Sequence, residues 1–199
     1  MDKVLHTAIN KEKNMYYTID IAGMKRDLRL YTVSPDTKIG AFIMFGDVEI
    51  TEYTSKKLLE LAPEFDYIIT SEAKSIPLAY EMARQAGMND YIVARKSLKV
   101  YMENPVGVEL KSITTANVQT LYLGDSDVEK IRGKRILIVD DVISTGESLA
   151  AMEKLVNAAE GIIVGKLSVL AEGKAAERED ITFLQKLPLF NADGTVKDI

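Results

Sequence analysis

Cysteine is missing altogether from the 199 residues, and histidine occurs once, at His6. Without cysteine there is no disulfide framework, no thiolate metal site and no thiol nucleophile. No apolar run approaches the roughly 18 to 20 residues needed to cross a bilayer. The opening "MDKVLHTAINKEKNMYY" lacks the continuous apolar stretch of a secretion signal, so a cytoplasmic protein with no membrane partner is the expectation. Positive charge is also short: 25 Lys and Arg against 30 Asp and Glu leave a net charge of −5, which argues against nucleic acid as a partner. Internal repeats, low-complexity segments and Gly/Ser-rich linkers are absent. An anionic ligand would need a local cluster of cations, and "ARKSLK" at residues 94–99 is one.

What is present is ordinary globular composition, 47% apolar and 28% charged, at a length that suits one sizeable core or at most two small domains. Residues 28–44 read as two strands around an "SPDT" turn. Residues 51–62 read as a helix with Thr51 as N-cap and Pro63 as the stop. Then "DYIIT" (66–70) is a short apolar strand, "SIPLAYEMARQAG" (75–87) a helix ended by Gly87, and "YIVAR" (91–95) a strand. "KRILIVD" (134–140) is a further strand, followed by a helix from Gly146 to Ala159 and the strand "GIIVGKLSVLA" (161–171). Strand and helix alternating from 51 to 171 predict an α/β fold with a doubly wound, mainly parallel sheet. In such sheets ligands bind outside the carboxyl ends of the strands. The segments after Thr70, Arg95 and Val139 are therefore the places to search.

"ILIVDDVISTGES" (136–148) runs four apolar residues into two aspartates. Adjacent carboxylates repel, and burial raises the cost of both charges. They are tolerable where they face a crevice and meet hydroxyls or a cation. Gly146 permits a tight turn, Ser and Thr hydroxyls flank it, and the following helix N-terminus offers unpaired N–H groups to a phosphate. An ordinary capped turn accounts for "STG" alone but not for strand, acid pair and turn together. No G-x-x-x-x-G-K-[ST] loop occurs.

This stretch resembles the ribose-phosphate motif of type I phosphoribosyltransferases, closest to the adenine and xanthine branch. The resemblance implies that Asp140 and Asp141 meet the ribose hydroxyls of phosphoribosyl pyrophosphate, directly or through Mg²⁺. It implies that Ser144, Thr145, Gly146, Glu147 and Ser148 wrap the 5′-phosphate. Two further segments follow the family's order. Glu72, Ala73, Lys74 and Ser75 resemble its pyrophosphate loop, with Ser75 where relatives have Gly; a plain helix start is the ordinary alternative. Arg95, Lys96 and Lys99 resemble its R-K-x-x-K triplet, which supplies charge to the pyrophosphate and in several members comes from the other subunit of a homodimer; a solvated surface is the ordinary alternative. The resemblance covers roughly residues 66–160. It implies one phosphoribosyltransferase domain over 1–199, with a core at 51–170 and a small hood from 1–50 and 171–199.

The implied activity is transfer of a ribosyl 5-phosphate group to a nucleobase in purine salvage, with Mg²⁺ as cofactor. Arg95 and Gly133 lie 38 positions apart, longer than the loop of orotate enzymes. Ser144 stands where hypoxanthine-guanine enzymes hold an Asp. "TLYLG" (120–124) puts Tyr122 where adenine enzymes carry a Glu. Length and layout favour adenine, with xanthine next, while the missing loop Glu counts against adenine. Tyr122 is a candidate to orient the base, although a loop tyrosine ordinarily packs. Glu172 and Arg178 are candidates from the C-terminal side, although such a charge run is ordinarily a solvated face. His6 receives no role. The competing readings are an orotate-type enzyme and a non-catalytic sensor of phosphoribosyl pyrophosphate. A DNA-binding sensor would need a basic reading helix, and the strand-rich residues before Thr51 show none.

Overall fold

The apolar runs become strands because both faces of the sheet they form are covered. In the computed structural model, which describes residues 15–110 and 119–197, the chain begins with β1 (Tyr16–Ile21), β2 (Met24–Ser34) and β3 (Thr37–Ala41). There follow α1 (Val48–Leu61), β4 (Tyr67–Ser71), α2 (Ile76–Gln85), β5 (Ile92–Ala94), β6 (Val106–Leu110) and β7 (Gln119–Leu123). The last elements are α3 (Asp125–Ile131), β8 (Arg135–Ile143), α4 (Glu147–Ala158), β9 (Ile162–Glu172), a 3-10 turn (Gly173–Glu177) and β10 (Thr182–Leu187).

Five strands form the central sheet in the order β10-β9-β8-β4-β5, and every neighbouring pair is parallel. The two-residue period of β8 is visible in its burial. Leu137 and Val139 join the cluster with Ile50, Leu58, Leu78 and Met82, whereas Ile136 and Ile138 join the one with Leu149, Met152 and Leu155. So α1 and α2 cover one face, and α4 covers the other. From β4 the chain crosses through α2 to β5 on one side, and from β8 through α4 to β9 on the other. The order reverses between β4 and β8, and the crevice beyond their carboxyl ends is where this architecture seats ligands.

Several boundaries differ from the sequence reading, each for a local reason. Helix α1 starts at Val48, because Asp47 accepts the Ile50 N–H at 3.1 Å; Thr51 sits inside the helix and donates back to the Asp47 carbonyl at 2.7 Å. β8 does not stop at Asp140 but continues to Ile143, held by β9 through Asp140 opposite Ser168 and Val142 opposite Leu170. Between Arg95 and Gly133 lie the β6–β7 hairpin and α3, with β7 tied to Arg95 by paired 2.8 Å backbone bonds at Tyr122.

β1 and β2 make a hairpin through Ala22 and Gly23, both at positive φ, and β3 completes a three-stranded antiparallel sheet. The C-terminal segment meets that sheet where Lys38 and Phe190 exchange backbone bonds of 2.8 and 2.9 Å. Residues 182–187, expected in the hood, instead form the edge strand of the central sheet. His6 lies outside the described residues.

Candidate functional site

β8 delivers Asp140 and Asp141 to the crevice at a point where both side chains are buried, 8% and 5% exposed. A hydroxyl relay reaches them from β4. Thr70 Oγ1 donates to Ser75 Oγ at 2.8 Å, and Ser75 Oγ donates to Asp140 Oδ1 at 2.9 Å. The Asp141 N–H donates to the same oxygen at 3.0 Å. Ser75 precedes α2 yet caps nothing with its side chain, because that hydroxyl is turned to Asp140. Burial, and then the neighbouring Asp141 charge, push the Asp140 carboxyl up from the ordinary carboxylate range, while the Ser75 donor pulls it back. Asp141 Oδ2 is buried and has no hydrogen-bond partner. An acid pair so desolvated calls for hydroxyl donors or a cation from a ligand.

After Ile143 the chain turns through Gly146, whose φ of +79° suits glycine, into the twelve-residue α4. Ser144, Thr145 and Ser148 are exposed around this turn, and the Thr145 hydroxyl lies 3.4 Å from the Glu147 N–H. The remaining N–H groups of the first turn face an approaching anion with the helix dipole behind them. A cavity of about 200 Å³ joins the two motifs, with Glu72, Ala73, Lys74, Ser75 and Lys96 on one side and Asp140, Asp141 and Ser148 on the other.

The basic triplet is divided. Lys96 lines that cavity, and its N–H donates to Glu72 Oε2 at 2.9 Å; this bond is the main reason the Glu72 carboxyl is lowered. Arg95 lies beside Glu72, Nε to Oε1 3.8 Å, and its Nε makes no hydrogen bond. Lys99 donates to Ser97 Oγ at 2.7 Å and, like Glu147, does not line the cavity. The Glu72–Ala73 peptide is cis.

Ser144 and Thr145 instead border a second cavity of about 480 Å³, whose far wall carries Glu172, Lys174, Arg178 and Leu189. Glu172 and Arg178 are therefore not a purely solvated run. Tyr122 belongs to the β6–β7 hairpin, where its ring lies against Gly107. Thr70 and Ser71 escaped the sequence reading because their use depends on β4 lying beside β8; their only signal was a polar end to an apolar strand.

Residues 47–195 match the sequence profile of the phosphoribosyl transferase domain family. The chain belongs to that family. Among its relatives, the adenine phosphoribosyltransferase of Brachyspira hyodysenteriae is 28% identical over 148 residues, covering 70% of this chain and 84% of that protein. The hypoxanthine/guanine phosphoribosyltransferase of Methanococcus voltae is 31% identical over 153 residues, covering 76% and 78%. The crystal structure of adenine phosphoribosyltransferase from Thermoanaerobacter pseudethanolicus superposes with a TM-score of 0.61 at 22% identity, over 86% of this chain and 95% of that one, which is a likeness of fold.

For a phosphoribosyltransferase the protein offers few metal donors. Among the described residues no group of three or more His, Asp or Glu side chains could hold an ion. The acid pair, with its unpartnered Asp141 oxygen, fits a hard cation that keeps its waters and takes its other oxygens from substrate. No helix among the described residues is long and apolar enough to cross a membrane.

Proposed function

We propose that this phosphoribosyltransferase moves the ribosyl 5-phosphate group of phosphoribosyl pyrophosphate onto a purine and releases pyrophosphate, with adenine the favoured base and xanthine next. One observation carries the reading. A buried acid pair, with Asp140 held by Ser75 from the start of α2, stands beside a helix-opening hydroxyl–glycine turn at the point where strand order reverses. The relatives named adenine and hypoxanthine/guanine phosphoribosyltransferase support a purine as acceptor. Ser144 in place of a carboxylate supports adenine over hypoxanthine and guanine.

In this reading Asp140 and Asp141 receive the ribose hydroxyls, and Ser144 to Ser148 receive the 5′-phosphate. Glu72 to Ser75, with Arg95, Lys96 and Lys99, take the pyrophosphate. The reaction breaks the C1′–O bond through an oxocarbenium-like transition state, so the residues act by positioning and by holding the departing charge. Asp140 and Asp141 are the residues that would hold Mg²⁺, which when bound would neutralise charge on the pyrophosphate. A homodimer bringing Lys99 across the subunit boundary completes the proposal, and sedimentation of the purified protein tests it.

The function is tested by offering the protein Mg²⁺, phosphoribosyl pyrophosphate and, separately, adenine, hypoxanthine, guanine, xanthine, orotate and uracil, with mass spectrometry of the products. AMP as the main product is expected. Orotate or uracil conversion alone overturns the purine assignment, and no product while phosphoribosyl pyrophosphate still binds makes the protein a sensor.

A further inference from the structure

The cavity of about 480 Å³ beside the phosphate turn holds one carboxylate that the scheme above leaves unused, Glu172 at the carboxyl end of β9. Glu172 is half-buried, and no ion pair engages it among the described residues. Burial lifts its carboxyl above the ordinary range, with the Ser144 hydroxyl against it and the Lys74 charge at longer range pulling the other way. The remaining polar groups around it are the Thr145 hydroxyl, the exposed Lys174 and Arg178. Arg178 is committed to Asp180 through Nε at 2.9 Å and Nη2 at 2.7 Å. Lysine and arginine are charged donors and the hydroxyls are feeble bases, so Glu172 is the one proton acceptor in this cavity.

The transfer reaction needs such an acceptor. A purine arrives with a proton on its imidazole ring. As the C1′–O bond breaks, pyrophosphate leaves with the bonding pair; a ring-nitrogen lone pair forms the C1′–N bond, and the ring proton must be shed. The phosphate turn has Ser144 at its entry, and Glu147 lies in neither cavity wall. We propose that the Glu172 carboxylate takes the ring proton of the incoming purine, directly or by a relay in which Ser144 gives its own proton to Glu172 and receives the ring's. The cavity beside the phosphate turn is then the base site, with Leu189 offering an apolar wall. This rests on the purine-transfer reading and assigns the residue that makes the base nucleophilic.

The test compares wild type, Glu172→Gln, Glu172→Asp and Ser144→Ala as full-length proteins. It measures kcat and KM for adenine and the other purines from about pH 5 to 9, and phosphoribosyl pyrophosphate affinity by calorimetry. A general base acts ionised, so wild-type kcat falls as pH drops through the Glu172 pKa. Glu172→Gln is expected to lose about 100-fold or more in kcat, the usual reach of one acid–base group. It should lose the acid limb of the profile and keep its affinity for phosphoribosyl pyrophosphate. Glu172→Asp should regain part of the rate with the limb intact, and Ser144→Ala should lose less than Glu172→Gln. A Glu172→Gln enzyme within about threefold of an active wild type overturns this proposal alone. A wild type that converts no purine overturns both it and the purine reading. If Glu172→Gln does not fold, a Glu172→Asp enzyme with unchanged rate and profile overturns the assignment.

Discussion

Replacing Gly146 by alanine probes the phosphate turn through two separable strains. Gly146 holds φ +79°, and an L-residue in the left-handed region costs roughly 1–2 kcal/mol. An added Cβ would also stand 2.6 Å from Arg178 Nη1. That atom ends a flexible side chain, but the guanidinium is pinned by its two bonds to Asp180. Breaking such a partly exposed pair costs about 0.5–1 kcal/mol. The sum is about 2 kcal/mol, which for a chain of this length lowers Tm by roughly 4–8 °C. The turn's N–H groups move with the strain, so KM for phosphoribosyl pyrophosphate should rise about tenfold. Calorimetric melting and initial rates read both effects. In an Arg178→Ala background only the left-handed cost of roughly 1–2 kcal/mol should remain. An unchanged Tm refutes the strain, and equal losses in the two backgrounds refute the contact with Arg178.

Ser75→Ala strips Asp140 of its hydroxyl donor and Thr70 of its acceptor; it should cost about 2 kcal/mol in urea unfolding and weaken phosphoribosyl pyrophosphate binding. Because the Asp140 carboxyl is raised in the folded protein by burial and by Asp141, the native state keeps a proton that the unfolded chain has released. Ligand-free stability should therefore fall as pH climbs from the ordinary carboxylate range through the raised value. Asp140→Asn should flatten that slope in urea titrations at several pH values. Paired with Asp141→Asn it should also abolish phosphoribosyl pyrophosphate binding in calorimetry while the melt stays cooperative. Lys99→Ala, outside the resting cavity, should lower kcat more than it weakens substrate binding in steady-state kinetics; a change in KM alone counts against its role at the leaving group.

The motif from Ile136 to Ser148 was legible because its parts are contiguous. A buried strand, a pair of acids, a glycine turn and a helix are coded by neighbouring residues, and local rules suffice to read them. The helices α2 and α4 and the strands β4, β5 and β9 could be read in the same way. The N-cap was misplaced because Thr51 and Asp47 are both acceptable caps, and the choice fell to Asp47, which also pairs with Arg26 at 2.7 Å from β2. The β6–β7 hairpin and β10 went unread because their few apolar residues are interrupted by polar ones in the sequence; the strands gain their order from pairing, β6 with β7 and β10 with β9, and from burying Leu121, Leu123 and Leu187 in the core.

By itself, then, the amino-acid sequence determined an α/β chain with an acid pair and a phosphate-type turn at the end of one strand, since those depend on residues within a few positions of one another. Only the tertiary structure decided that Ser75, sixty-five positions away, would hold Asp140, and that Lys96 would share its cavity while Lys99 would not. It alone brought Glu172 against Ser144. These contacts follow from which strands lie side by side, and parallel neighbours are set by burial across the whole sheet, a quantity no short stretch of chain contains.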